Sequence, residues 1–257
     1  MPATSAAAVD RIDPGTLIVP DWPAPANVRA LVTTRAGGVS CGPWASLNLG
    51  LRAGDDALCV EENRRRLREH LPAAPRWLQQ VHGVQAVAAH EVSEPPPADA
   101  SFTDRARVVC TVMIADCMPV LLCADDGSRV AAVHCGWRGL SGGALENAIA
   151  ALRIDAQHLL AWLGPAIGPQ AFEVGDDVRD AFLAVDPQAG DAFRAAPTVP
   201  GKWYTDLFAL GRQRLARAGV ARVYGGGLCT FADPLRFFSY RRDRTTGRMA
   251  ALIWSDG

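Results

Sequence analysis

Arg107-Val108-Val109-Cys110-Thr111-Val112-Met113-Ile114-Ala115-Asp116-Cys117 and, shortly after it, Val130-Ala131-Ala132-Val133-His134-Cys135-Gly136-Trp137-Arg138-Gly139 decide the reading of this chain. Each is an apolar, strand-like run that gives out on residues able to bind a metal or act as a nucleophile. Neighbouring strands ending in this way bring a thiol, Cys117, and an imidazole, His134, together at a sheet edge. Reacting groups commonly sit at strand ends in α/β proteins.

Working outward, Val120–Ala124 is a further strand, and Asp125-Asp126-Gly127 is a hairpin-type turn into Arg129–His134. Val28–Thr34, Leu159–Leu163, Arg222–Gly225, Phe237–Arg241 and Met249–Trp254 are predicted strands. Arg76–Val81 and Val84–Ala89 are predicted as a strand pair or as two neighbouring strands. Asp55–Leu71, Gly139–Leu152, Asp176–Val185 and Thr205–Ala218 have helical character. The prolines of Glu94-Pro95-Pro96-Pro97 make that stretch a loop. The pattern predicts one mixed α/β (α+β) domain over residues 27–257, with a partly antiparallel sheet flanked by helices. Residues 1–26, with Pro20, Pro23 and Pro25, are predicted to be an irregular arm.

The chain of 257 residues is long enough to bury a real core, and 49% hydrophobic with 21% charged residues is the composition of an ordinary globular protein. A formal net charge of −1 gives no reason to expect a nucleic-acid or membrane partner. No apolar run has the length of a membrane span, and the N-terminus lacks the basic start of a signal peptide, so a cytoplasmic protein is expected. Seven cysteines without a CxxC pair fit reduced thiols, with Cys59, Cys110 and Cys123 as small core residues. Lys202 is the one lysine, and base composition is the plain explanation of the arginine bias.

Of the five histidines, His70, His90 and His158 are expected to be structural or solvated. His82 differs, because it follows the apolar run Trp77-Leu78-Gln79-Gln80-Val81 and precedes Gly83. His82, Cys117 and His134 together offer three N and S donors, the ligand type of a catalytic zinc site with one open position; the set also suits copper. Spacings of 35 and 17 residues match no short-range metal motif, so two alternatives stay open on the residues alone. One is a pair of edge histidines and a buried thiol. The other is a nucleophilic Cys117 with His134 as its base. Asp116 is placed to orient an imidazole in either scheme.

Seven ordered motifs narrow this. They are Thr33-Thr34-Arg35-Ala36-Gly37-Gly38-Val39-Ser40, Ser46-Leu47-Asn48-Leu49-Gly50, Gln80-Val81-His82-Gly83, Ala115-Asp116-Cys117-Met118-Pro119-Val120, His134-Cys135-Gly136-Trp137-Arg138-Gly139, Gly164-Pro165-Ala166-Ile167-Gly168 and Phe238-Ser239-Tyr240-Arg241-Arg242-Asp243. In this the chain resembles the YfiH family, also called the laccase-domain or multicopper polyphenol oxidoreductase family, from about residue 28 to its end. The resemblance implies a zinc site on His82, Cys117 and His134, which makes Cys117 a bound thiolate rather than a free nucleophile. It implies phosphorolysis of adenosine, inosine and methylthioadenosine, with phosphate as the second substrate, and adenosine deamination. The family also includes proteins described as copper-dependent phenol oxidases (laccases) and amidases that remove misincorporated serine from peptidoglycan precursors. Five histidines are few for a multicopper cluster, so the oxidase is the least favoured of these.

The expected substrate-binding residues are Arg35, Asn48, Arg64, Trp137 and Arg241. Asn48 is either a turn residue or a hydrogen bond to the substrate, and the resemblance favours the second. Arg64 lies in a charged helical run but resembles a family position near the pocket. Arg35 is either a surface arginine or a phosphate clamp, and Trp137 either packs the core or walls a planar substrate. Arg241 and Arg242, as adjacent strand residues, face opposite ways, so at most one reaches the pocket. Cys135 stands where many relatives have alanine. As the strand residue after His134 it is expected to point away from the site and be buried. Cys229 has no assigned role.

Overall fold

Apolar residues at successive positions of one strand imply burial on both faces, and several strands here have that character. The structure, a computed structural model, describes residues 16–197 and 199–257. In chain order its strands are β1 (Leu17–Ile18), β2 (Val28–Thr33), β3 (Pro75–Arg76), β4 (Ala86–Ala88), β5 (Ala100–Thr103), β6 (Val109–Ile114), β7 (Met118–Ala124), β8 (Val130–Cys135), β9 (Leu159–Leu163), β10 (Glu173–Gly175), β11 (Phe193–Ala195), β12 (Lys202–Thr205), β13 (Arg222–Gly225) and β14 (Met249–Ser255). The helices are α1 (Ala57–Arg68), α2 (Trp137–Gly142), α3 (Ala144–Leu152), α4 (Asp176–Leu183), α5 (Leu207–Arg217) and the short α6 (Tyr240–Asp243).

The strands form three sheets, ordered β1-β2-β14-β6-β3, β13-β9-β7-β8-β5-β4 and β10-β12-β11. Pairing is antiparallel except for β3 with β6, β4 with β5 and β13 with β9. The mixed, largely antiparallel α/β pattern holds, distributed over three sheets instead of one.

The two larger sheets stack face to face, and the period of two sorts their side chains into layers. On β14, Met249, Ala251 and Ile253 face the neighbouring sheet, while Ala250, Leu252 and Trp254 face the layer that includes Leu67 of α1. On β7, Leu121 and Cys123 join the inter-sheet layer, whereas Val120, Leu122 and Ala124 pack with Leu145, Ile149 and Leu152 of α3 and Leu215 of α5. Each large aliphatic side chain buried here contributes about 1.5–3 kcal/mol. Asp56 caps α1 by accepting from the Leu58 nitrogen, and Asp206 caps α5 by accepting from Ala209, each contributing about 1 kcal/mol.

Four local expectations are corrected. Arg76–Val81 and Val84–Ala89 supply β3 and β4, which lie in different sheets and do not pair. The helix expected over Gly139–Leu152 is two helices, because Gly143 takes φ +102° and ends the first. Phe237–Arg241 is not a strand: Ser239 caps α6 through a bond from the Arg242 nitrogen, and the chain turns there. Within the arm expected for 1–26, Leu17–Ile18 pairs antiparallel with Val32–Thr33, and residues 1–15 lie outside the described residues.

The chain passes between the two stacked sheets through the segment before Met118, from β6 to β7, and through residues 77–85, from β3 to β4. Both crossings involve left-handed backbone, φ +93° at Asp116 and φ +59° at His82. These are the segments that carry two of the three candidate ligands.

Candidate active site

Strand β8 positions the third. Alternation puts Ala131, Val133 and Cys135 on the helix side and His134 on the inter-sheet side with Ala132. In register, Pro119 pairs with His134 and Met118 with Cys135, so Cys117 falls at the strand end beside His134. The ligand atoms of His82, Cys117 and His134 all lie within 4.8 Å of one another, and the two imidazole rings meet edge-on at 5.0 Å and 73°. His134 is buried, Cys117 half-buried and His82 exposed, so the group opens to one side.

Asp99, which sequence reasoning missed, organises this group. It is fully buried. Its Oδ1 lies 2.8 Å from Nδ1 of His134 and accepts from the His82 nitrogen at 3.0 Å; its Oδ2 accepts from the nitrogens of Val81 at 3.1 Å and Gly83 at 2.7 Å. Burial acts to raise its pKa, but the bonds from His134 and from the Gly83 and Val81 backbone hold it below the usual carboxylate range. A carboxylate on Nδ1 leaves Nε2 as the donor atom of His134. The only signal in the sequence is a lone acid in the small-residue run Ala98-Asp99-Ala100.

Asp116, expected to orient an imidazole, has other partners. Its Oδ1 accepts from the Thr230 hydroxyl and its Oδ2 from the Arg241 nitrogen, both at 2.6 Å, which ties the β6–β7 crossing to α6.

Burial pushes the Cys117 thiol up, but the imidazoles of His134 and His82 outweigh it and bring the pKa to about 6. Burial pushes His134 down, and the Cys117 thiolate and Asp99 outweigh it to raise its pKa to about 9. Two imidazoles, a thiolate and a carboxylate behind one imidazole form a donor set of the kind that holds zinc, and copper also accepts such a set.

Two glycines make room for the group. A Cβ on Gly136 would sit 2.9 Å from the Cys117 sulfur and 3.0 Å from His82 Cδ2. One on Gly139 would sit 2.8 Å from the Gly83 carbonyl oxygen. This is the physical content of the spacing in His134-Cys135-Gly136-Trp137-Arg138-Gly139. Among the described residues, no other three His, Cys, Asp or Glu side chains are gathered in this way.

The three residues line a cavity of about 720 Å³. Its wall includes Trp77, Leu78, Met113, Ile167 and Phe172, and also Asp116, Tyr240 and the arginines Arg52, Arg64, Arg241 and Arg248. Gln80 fixes the His82 crossing by donating to the Met113 oxygen at 2.8 Å and accepting from its nitrogen at 2.7 Å.

Of the expected substrate contacts, Arg64 and Arg241 reach this lining, whereas Arg35, Asn48 and Trp137 do not. Arg35 donates to the carbonyls of Ala45 at 2.8 Å and Pro234 at 3.0 Å and stacks on Phe238. Asn48 is buried behind the wall, where Oδ1 accepts from Gly50 and Arg248 and Nδ2 donates to Asp55. Trp137 starts α2 and packs against the helix-side core, with the Arg138 guanidinium 4.3 Å from its ring. Trp77 and Phe172 supply the aromatic wall instead. Arg241 and Arg242 sit on a helix; Arg242 faces away and donates to the carbonyls of Thr230, Phe231 and Phe237.

Cys135 is fully buried in the helix-side core, where burial holds its pKa well above the ordinary thiol value. The Cys229 sulfur accepts from the nitrogens of Gly168 and Ala232. His90 and His158 are engaged elsewhere, with Thr103 and Asp125. No helix among the described residues is long and apolar enough to cross a membrane.

Stacked mixed sheets with a His–Cys–His group at the crossings between them define a protein class. The profile of the family described as multi-copper polyphenol oxidoreductase laccase matches residues 29–256, and the chain belongs to that family. It is 54% identical over 237 residues to a Pseudomonas aeruginosa protein named as a purine nucleoside phosphorylase, across 92% of this chain and 97% of that one. It is 51% identical over 241 residues to the Escherichia coli protein named purine nucleoside phosphorylase YfiH, across 93% and 98%. A crystal structure of a Neisseria meningitidis protein superposes with a TM-score of 0.91 at 50% identity, covering 94% of this chain and all of that one. The resemblance read from the seven motifs is borne out.

Proposed function

We propose that the protein is a zinc-dependent purine nucleoside phosphorylase acting on adenosine, inosine and methylthioadenosine, with adenosine deamination as a second reaction of the same site. The relatives' names support an enzyme of this class. The observation that carries the reading is the His82–Cys117–His134 group lining one cavity with aromatic walls and several arginines. The walls suit a planar purine, and the arginines suit phosphate.

His82, Cys117 and His134 would hold the metal, with Asp99 orienting His134. A zinc ion there would supply Lewis acidity toward an oxygen nucleophile. The chain's own contribution is to seat the nucleoside against Trp77 or Phe172, to neutralise charge with Arg64, Arg241 and Arg248, and to hold the Asp116 carboxylate in place.

The test is hypoxanthine release from inosine by metal-analysed protein with and without phosphate. Release is expected only with phosphate, and Cys117→Ala or His134→Ala is expected to lose zinc and turnover together. Full turnover in those variants would overturn the assignment. The arginines suit the carboxylate and diphosphate of a peptidoglycan precursor equally, so serine-bearing muropeptide precursors belong in the same assay. Copper-dependent phenol oxidation by a multicopper mechanism finds less support, since a single three-donor group among the described residues does not supply the separate copper centres it needs.

A further inference from the structure

An arginine withdrawn from water without a carboxylate beside it is costly, and proteins usually pair such a charge. Arg214 illustrates the rule here, with Nε 2.7 Å from Glu146. Arg64 and Arg248 break it. Both are half-buried, both line the cavity, and neither forms an ion pair among the described residues. Burial lowers the pKa of both, that of Arg64 to about 10, so both stay charged at neutral pH.

One stretch of backbone holds the two together. Arg64 Nε donates to the Leu49 carbonyl at 2.9 Å, and the Leu49 nitrogen donates to the Arg248 carbonyl at 3.0 Å. Asn48 Oδ1 accepts from the nitrogens of Gly50 at 3.0 Å and Arg248 at 2.8 Å. A Cβ on Gly50 would lie 2.7 Å from Arg248 Cγ, so the Arg248 stem lies directly against that residue. The guanidinium of Arg64 rests 4.0 Å from the Trp77 ring, and its terminal nitrogens have no hydrogen-bond partner among the described residues. The Arg248 guanidinium is partly used, its Nη1 donating to the Thr246 carbonyl at 2.8 Å and the Gly247 carbonyl at 3.0 Å, and it feels the charges of Cys117 and Asp116.

We propose that Arg64 and Arg248 form the subsite for the phosphate that attacks the nucleoside. This rests on the phosphorolysis reading above. In that reaction a phosphate oxygen bonds to C1′ of the sugar, the C1′–N9 bond breaks, and its electron pair stays on the purine. Hydrogen phosphate loses its proton on becoming the sugar ester, and the departing base gains one, so inosine yields ribose 1-phosphate and hypoxanthine in balance. Two guanidinium groups lining one cavity, with the Arg64 terminal nitrogens and Arg248 Nη2 not taken up by protein hydrogen bonds among the described residues, suit a tetrahedral oxyanion, and a phosphoryl group carried on a nucleotide shares that chemistry.

The experiment is titration calorimetry of the zinc-loaded protein with inorganic phosphate and with AMP, together with KM values for phosphate and inosine. Arg64→Met and Arg248→Met are each expected to raise the KM for phosphate about 10- to 100-fold, and to weaken phosphate binding in parallel. The KM for inosine is expected to change by less than about two-fold, within the error of such comparisons. Arg64→Lys should recover part of the loss. Gly50→Ala, which removes no charge but displaces Arg248, should act in the same direction, and thermal melts identify any variant that fails to fold. An increase confined to the KM for inosine overturns the subsite and leaves the phosphorylase reading intact. Loss of AMP binding with phosphate binding unchanged overturns it in favour of an esterified phosphoryl group. Arginine-dependent phosphate binding without cleavage of inosine supports the subsite and overturns the phosphorylase reading.

Discussion

Asp99 Oδ1 lies 2.8 Å from Nδ1 of His134 and 3.0 Å from the backbone nitrogen of His82, so one buried carboxylate oxygen orients two of the three candidate ligands. In Asp99→Asn, the amide nitrogen must face donors, either His134 or the nitrogens of Val81 and Gly83. Zinc affinity is expected to fall about 10- to 100-fold, measured by competition with a chromophoric chelator. Unchanged affinity would show that Asp99 does not position the ligands.

The lowered pKa of Cys117 gives a pH signature. Its thiolate fraction grows as pH rises through about 6. In metal-free protein, alkylation by iodoacetamide should therefore be half-maximal near that pH and level off by neutrality, and added zinc should block it. Cys110 and Cys123, pushed up to about 12 by burial, should stay unmodified. Peptide mass mapping reads all of these thiols in one experiment. A Cys117 midpoint near the ordinary thiol value of about 8.5 would contradict the thiolate–imidazolium arrangement.

Gly136→Ala tests crowding without removing a ligand. The backbone there, φ −70° and ψ 163°, is open to any residue, so the effect must come from the added methyl against Cys117 and His82. Zinc binding should weaken about ten-fold or more, with a global destabilisation of about 1–3 kcal/mol. Equilibrium dialysis and urea unfolding separate the two quantities. Wild-type zinc affinity would mean that the ligands do not need the space left at residue 136.

Leu121→Ala probes the layer between the sheets, away from the cavity lining. Leu121 is fully buried there, and its truncation should cost about 2–5 kcal/mol in urea unfolding. Turnover per folded molecule should be preserved. A cost below about 1 kcal/mol would argue against a tightly packed inter-sheet layer.

The parts of this molecule legible in its sequence are those with short-range physical signatures. Alternation and turn chemistry located β6, β7, β8, β9 and β14, and the Asp125-Asp126-Gly127 turn fixed the β7–β8 register that sets Cys117 beside His134. The burial of Cys135 followed from that same alternation. What stayed hidden depends on contacts between distant segments. Asp99 reaches His134 across 35 positions, and Arg248 meets Asn48 across 200. The resemblance favours Asn48 as a substrate contact, and a lone arginine before two glycines suits a phosphate clamp as well as a surface role, yet Arg35 donates to the Ala45 and Pro234 carbonyls and Asn48 Oδ1 accepts from the Gly50 and Arg248 nitrogens. Phe237–Arg241 carried the composition of a strand, but the Ser239 cap turned it into a helix.

The two crossings between the stacked sheets have a consequence for the unfolded chain as well as for the site. Residues 82, 117 and 134 are remote along the polypeptide, so an ion bound by all three closes loops of 35 and 17 residues. A cross-link around a loop of this size removes about 3 kcal/mol of unfolded-chain entropy. The ion would therefore act as a staple across the end of the sandwich where the chain changes sheets, and the ligand group would be a fastening of the fold as much as a place for chemistry.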